Sequence, residues 1–261
     1  MFLSGCKSTP KKAQTKTEKD IYIKGVFITQ NEIKPYLVKN TKKSIKGLAN
    51  ELDGCGITDV FLQTRAYGES LAKIKSFPQL SYVENKSFDV LSYIIKTFKE
   101  KSIRTHIWIN PLRIKTDGTD KNELNKESPV YKVLSNSDTE DDSLVCFTES
   151  GIYLNPASDK AVGLITEEVR EVINKYKPAG ISFDDYFYPT ADESFDSESY
   201  GLYKSLCESP LSLSEWRIAN INSLISSVYT AVKFCDKDTL FTVSPAASAK
   251  RSKEELFADV Y

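Results

Sequence analysis

Gly180-Ile181-Ser182-Phe183-Asp184-Asp185-Tyr186-Phe187-Tyr188-Pro189 is an apolar strand that runs into two adjacent acids, three aromatics and a proline. Its neighbours decide what kind of strand it is. Over 158–176 the apolar residues Val162, Ile165, Val169 and Ile173 recur at three- and four-residue steps, and Ser158 stands where a helix cap belongs. A helix therefore precedes the strand. Before that helix comes Ile103-Arg104-Thr105-His106-Ile107-Trp108-Ile109, another run rich in β-branched and aromatic residues, and a helix over 214–234 leads on to Leu240-Phe241-Thr242-Val243. Strands joined through helices pair in parallel, because the crossover returns the chain to the same end of the sheet.

The same unit extends towards the N-terminus. A strand is predicted over 21–29, a helix over 36–52, a strand over 57–63 and a helix over 88–101. Five short apolar strands separated by helices predict parallel α/β architecture, with a (β/α)8 TIM-type barrel and a doubly wound sheet both open. The barrel is expected to be incomplete, with about five βα units of the roughly eight that closure requires. Long loops over 66–86, 110–156 and 186–213 follow strand ends, where such barrels build their active-site face. No Gly-rich phosphate fingerprint follows the first strand, which argues against a dinucleotide fold.

The 35 basic and 36 acidic residues nearly cancel, so charge calls for no nucleic-acid partner. Cys55, Cys146, Cys207 and Cys235 show no C-x-x-C spacing and face a single histidine, so neither a metal nor any other cofactor is expected, and buried thiols are the plain reading. Leu3-Ser4-Gly5-Cys6 has the form of a lipobox, and the Lys/Thr/Ser-rich residues after it read as a flexible tether over 1–20 ahead of a partial barrel over 21–261. Only two residues precede the box, so the expectation is an upstream start that restores a signal peptide. Cys6 would then be lipidated and the chain held at the cell envelope or outside the cell; without that start it would be cytoplasmic.

Polar residues gather at the predicted strand ends. Adjacent residues of a strand point to opposite faces, so one of Asp184 and Asp185 is expected to face the barrel mouth while the other is tied into the surrounding loops. Paired carboxylates suit glycoside hydrolysis, in which one protonates a leaving oxygen and another stabilises or attacks an oxocarbenium-like centre. Tyr186 and Tyr188 are candidates for stacking on sugar faces. His106, Trp108, Asn110 and Arg113 end the third strand, a set suited to hydroxyl recognition, with ordinary packing the competing reading for His106; Gln63 and Arg65 end the second, where Arg65 could hold a site carboxylate in its ionised form or form a surface salt bridge. Candidates for a partner acid are Glu69, Asp192, Glu193 and Glu215.

The stretches Thr64-Arg65-Ala66-Tyr67-Gly68-Glu69, His106-Ile107-Trp108-Ile109-Asn110-Pro111-Leu112-Arg113, Tyr153-Leu154-Asn155-Pro156, the strand quoted above, Trp216-Arg217-Ile218-Ala219-Asn220 and Ser244-Pro245 together resemble the glycosyl-hydrolase-like family 10 in content and order. The resemblance implies a TIM-barrel glycosidase domain, commonly carried on bacterial envelope lipoproteins, with some members active on the glycan strands of peptidoglycan. It implies a catalytic role for Asp184 or Asp185. Arg65, His106, Asn110, Arg113, Trp216, Arg217 and Asn220 would line or brace the site, although the last three could simply pack a helix onto the barrel. The chain departs from the family pattern at Glu69, where an aspartate is usual, and at Ile218, where a second arginine is usual. A carbohydrate-binding lipoprotein without turnover, or an inactive fragment, is the competing expectation.

Overall fold

The computed structural model describes residues 23–136 and 143–259. The elements in chain order are β1 (Gly25–Ile28), α1 (Gln30–Val38), α2 (Thr41–Gly54), β2 (Asp59–Arg65), α3 (Val90–Lys99), β3 (Arg104–Ile109), β4 (Arg113–Lys115), α4 (Pro129–Ser135), β5 (Val145–Thr148), β6 (Gly151–Leu154), α5 (Asp159–Tyr176), β7 (Gly180–Asp184), α6 (Ser197–Leu206), α7 (Leu213–Cys235), β8 (Leu240–Ser244) and α8 (Ala249–Glu254). Five of these strands form one sheet in the order β1-β2-β3-β7-β8, every pair parallel. Sequential order with helical crossovers is barrel topology, and among the described residues the sheet stays open. The five predicted strands all form.

The pleat sorts side chains by face. Val60, Leu62, Ile107, Ile181 and Phe183 are fully buried. They belong to one apolar core with Leu91 and Ile94 of α3, Ile165 and Val169 of α5 and Leu224 of α7. The alternate residues form rungs on the other face. The register aligns Phe27, Phe61, His106, Gly180 and Leu240 in one rung, and Gln63, Trp108, Ser182 and Thr242 in the next towards the strand ends. Phe27 stacks on Phe61 at 4.6 Å and Phe61 on His106 at 4.5 Å. Phe27 and Leu240, at the two open ends of the rung, are 55% and 45% exposed.

Two elements differ from expectation. The helix predicted over 36–52 is two helices. Thr29 and Glu32 form a capping box that starts α1 earlier than the apolar pattern shows, and left-handed Asn40, φ 49°, breaks the path before α2. The stretch 110–156, expected as loop, contains α4 and a three-stranded antiparallel sheet in the order β4-β6-β5. Its hairpin, β5 with β6, turns through Glu149 and Ser150, and β4 joins from far upstream in sequence. A three-residue strand carries too little pattern to be read alone.

Gly180 is dictated by contact. A Cβ there would lie 2.6 Å from His106 Nδ1 and 3.1 Å from the Leu240 carbonyl oxygen, so the imidazole lies flat only over a residue without a side chain. Gly180→Ala is expected to lower stability by about 1–3 kcal/mol through overpacking, with part of the loss recovered when His106→Ala is added. Urea denaturation of the four variants of that cycle measures it, and an unchanged midpoint for Gly180→Ala would show that the rung is loosely packed.

Candidate active site

β7 carries Asp184 on the same face as Gly180 and Ser182, two residues apart at each step, and so aims it at the concave side of the sheet. Asp185 then leaves the sheet in a left-handed conformation, φ 48°, which aspartate tolerates better than most residues. Its backbone N–H donates to Asp184 Oδ1 at 2.9 Å, closing a tight turn between the two acids. One residue of separation gives them different surroundings.

Asp184 is partly buried, and burial pushes its carboxyl above the usual range while Arg113 pulls it back. Asp185 is ion-paired with the guanidinium of Arg113, and its Oδ2 also accepts from Asn110 Nδ2 at 3.1 Å. Asn110 Oδ1 accepts in turn from Gln63 Nε2 at 2.7 Å. Arg113 lies over the ring of Tyr67, 5.6 Å from its centroid, and Tyr67 is 43% exposed. Trp108 sits one pleat below Asn110, edge-on to Phe27 at 5.5 Å, with its indole N–H buried and unpartnered.

Two clefts flank this group. One, of about 380 Å³, is lined by Asp185, Arg113, Tyr153, Phe187 and Arg251 among others. The second, of about 590 Å³, lies on the Tyr67 side and is lined by Tyr67, Glu69, Tyr82, Lys115 and Asn125 among others. Tyr67 and Tyr82 are the aromatics at the larger opening, and Tyr153, Phe187 and Tyr188 those at the smaller. Tyr67 carries no signal in the sequence, and nothing in the alternation of Tyr186-Phe187-Tyr188 says which rings turn inward.

Several expected site residues sit elsewhere. Tyr186 and Tyr188 are buried, and burial pushes both phenols up; Tyr188 Oη accepts from Asn220 Nδ2 at 3.2 Å, and its ring packs on Phe195 and Phe257. These rings anchor the loop, with Tyr188 packed into the wall of the smaller cleft. Arg65 is completely buried and reaches no site carboxylate. The register shift between Gln63 and Arg65 turns it away, so that Nε bonds both oxygens of Glu168 at 2.9 and 2.8 Å and Nη2 donates to the Pro111 carbonyl at 2.9 Å. Arg217, equally buried, grips Asp196 and the carbonyl oxygens of Ala191 and Asp192. Trp216 packs against Tyr200 and Tyr203. Arg217, Trp216 and Asn220 therefore brace the loop after β7.

His106 is on the concave face but low in it. Its Nε2 lies 2.8 Å from Asp59 Oδ1, and it is 3% exposed, shut in by the Phe61 ring. Although burial pushes Asp59 up, hydrogen bonds from Arg104, Thr58 and His106 bring its carboxyl below the usual range. The imidazole closes the floor and does not face a ligand. Of the partner-acid candidates, Glu215 is consumed by the capping box with Ser212 that starts α7, and Asp192 caps the turn that begins at Glu193. Glu193 lies exposed in that turn. Glu69 lines the larger cleft, held by Asn125 Nδ2 at 2.6 Å and the Ser81 N–H at 3.0 Å. Among the described residues no His, Cys, Asp and Glu side chains cluster to hold a metal. Cys6 lies outside the described residues.

The glycosyl hydrolase-like 10 family model matches residues 22–261. The chain is 29% identical over 227 residues to the glycosyl hydrolase DigH of Escherichia coli (strain K12), covering 80% of this chain and 49% of that protein. It is 24% identical over 216 residues to the glycosyl hydrolase YngK of Bacillus subtilis (strain 168), covering 80% of this chain and 40% of that one. The chain thus spans about half the length of these relatives or less. Among solved structures, the PgaB (BpsB) glycoside hydrolase domain from Bordetella bronchiseptica superposes with a TM-score of 0.63 at 14% identity, over 91% of this chain and 70% of that one. The alpha-L-fucosidase isoenzyme 2 from Paenibacillus thiaminolyticus gives 0.59 at 14% identity, over 87% and 33%. At such identities the likeness is one of fold.

The Arg65–Glu168 pair makes a prediction of its own. Arg65→Met leaves Glu168 buried without its counter-charge, and stability is expected to fall by about 3–5 kcal/mol at neutral pH. A stranded buried carboxyl titrates above its unfolded value, so the loss is fullest at higher pH and shrinks as pH falls towards the ordinary carboxylate range. Urea titrations at several pH values read this directly; a loss that is small and flat with pH would mean that the pair is not carrying the β2 and α5 contact.

Proposed function

The chain belongs to the glycosyl hydrolase-like 10 family, and from that premise we propose that it cleaves glycosidic bonds with Asp184 and Asp185 as its reacting carboxylates. One observation carries the assignment: two neighbouring acids stand in environments that push their chemistry apart. Asp184 is desolvated on the concave face, which favours a proton on its carboxyl, as a general acid to the leaving oxygen needs. Asp185 is held as a carboxylate between Arg113 and Asn110, suited to stabilise positive charge at the sugar or to order a water. Tyr67 and Phe187, at the flanking clefts, supply apolar faces on which sugar rings can stack.

The substrate proposed is a bacterial envelope polysaccharide, the glycan strand of peptidoglycan. The support is the lipobox form of Leu3-Ser4-Gly5-Cys6, through which a lipidated Cys6 would hold the barrel against the envelope. No helix among the described residues is long and apolar enough to cross a membrane.

Glycan strands incubated with the chain are expected to release reducing ends. Asp184→Asn should lower kcat by about 100-fold or more, and a substrate with a dinitrophenyl leaving group, which needs no proton, should restore much of that loss. Asp185→Asn should be equally damaging on both substrates. Arg113→Gln removes the charge that pulls Asp184 down, so the alkaline limb of the pH profile should move to higher pH. Full activity in both asparagine variants would end the assignment. Glycan retention in a pull-down with no reducing ends from the wild type would point instead to a binding protein.

A further inference from the structure

We propose that Gln63 is a positioning residue that fixes the form in which Asp185 presents its carboxylate, acting through Asn110. The proposal rests on the reading that Asp185 takes part in glycosidic cleavage. Three hydrogen bonds run in one direction across three strands' ends. The backbone N–H of Gln30, the first residue of α1, donates to Gln63 Oε1 at 3.1 Å; Gln63 Nε2 donates to Asn110 Oδ1 at 2.7 Å; Asn110 Nδ2 donates to Asp185 Oδ2 at 3.1 Å. Gln63 and Asn110 are 8% and 1% exposed, so water does not compete for these groups.

The direction is forced from both ends. A backbone N–H can only donate, and an ionised carboxylate can only accept, so each amide between them has a single orientation that satisfies both neighbours. The donor end is itself pinned, because Gln30 Nε2 donates to the Thr64 carbonyl at 2.7 Å. The relay thus leads from the positive end of α1 to one oxygen of Asp185 and favours its charged state. The other groups facing Asp185 are Arg113 from β4, which forms its ion pair, Asp184 beside it, Tyr153 from β6, Tyr188 from its own loop and Arg251 from α8. Arg113 and the end of the relay, Asn110 Nδ2, meet the carboxylate at the same oxygen, Oδ2.

Gln63→Glu reverses the relay. A glutamate at that position accepts from Asn110, which must then turn its oxygen towards Asp185, and that oxygen is satisfied only by a protonated carboxyl. The test is a 13C NMR titration of the aspartate carboxyls in the full chain, with the Asp185 signal identified by its loss in Asp185→Asn, alongside the pH profile of glycan cleavage. In Gln63→Glu the midpoint of Asp185 is expected to rise by about one pH unit, with the acid limb of kcat rising alongside. Repeating the change in an Asn110→Ala background separates relay from charge repulsion, and most of the rise should vanish there. Gln63→Met, which removes the relay without reversing it, should lower kcat about tenfold with KM within about twofold. An unmoved midpoint in Gln63→Glu, a rise retained without Asn110, or wild-type kcat in Gln63→Met overturns the proposal. If Gln63→Glu does not fold, Gln63→Met decides alone. The titration needs no turnover, so a wild type that cleaves no glycan overturns the glycosidase reading and leaves the relay to be judged by NMR.

Discussion

A parallel sheet returns every second side chain to the same face, and in this molecule that alternation governs everything at the mouth. The helix-facing set is almost wholly aliphatic and aromatic and sits in one continuous core with α3, α5 and α7. The opposite set is graded along the strands. Phe27, Phe61 and His106 make a stacked floor, Gln63, Trp108 and Ser182 a mixed level above it, and Asn110 and Asp184 come last. Register makes the grading a property of the sheet and not of single strands: a slip of one residue in β7 would send Asp184 into the core and Phe183 to the mouth. The contact between Gly180 and His106 guards that register, since only one glycine in β7 can sit under the imidazole.

Around this sheet the charged residues divide into braces and tools. Arg65 and Arg217 are fully buried, and each has a carboxylate plus backbone carbonyls as partners, so their donors are spent on holding loops. Asp59 with Arg104 and His106 does the same below the floor. A buried pair of this kind adds little net stability over an apolar packing, but it fixes geometry, because breaking it strands a charge. Arg113 is different. Partly exposed on a three-residue strand, it joins Asp185 and Tyr67 at the edge of the clefts.

The strands were legible because each βα unit carries its own periodicity, and the position of Asp184 and Asp185 at the mouth because they end a strand. The roles of Arg65, Arg217, Tyr186 and Tyr188 were not. Whether a residue at a strand end faces the opening or the shell depends on a register shift, at Arg65, or on a backbone turn, at Asp185, and neither leaves a trace in hydrophobic pattern. His106 was ambiguous for a related reason: its face could be inferred, but not its level. Gln63 belongs to the same rung as Trp108, yet its importance emerges only when Asn110, far away in sequence, is seen between it and Asp185. The small sheet of β4, β5 and β6 was invisible because its shortest strand pairs across a long stretch of chain.

Two adjacent acids would be a poor way to obtain two chemistries if the strand simply continued, for they would point to opposite faces and one would be lost in the core. The left-handed turn at Asp185 removes that constraint. It lets the chain leave the sheet at the residue after Asp184, so the second carboxylate comes round to the loop side of the mouth, where Arg113 and Asn110 wait. Desolvation then raises the carboxyl of Asp184, while the next residue is ion-paired with Arg113, without any distance in sequence. The backbone strain is modest for aspartate and is supported by the tightly packed Tyr186 and Tyr188 that follow, whose burial holds the turn in place. The acid doublet and the inward-turned aromatics behind it are therefore one device, in which packing energy from the rings sustains the backbone turn that makes the two acids unlike.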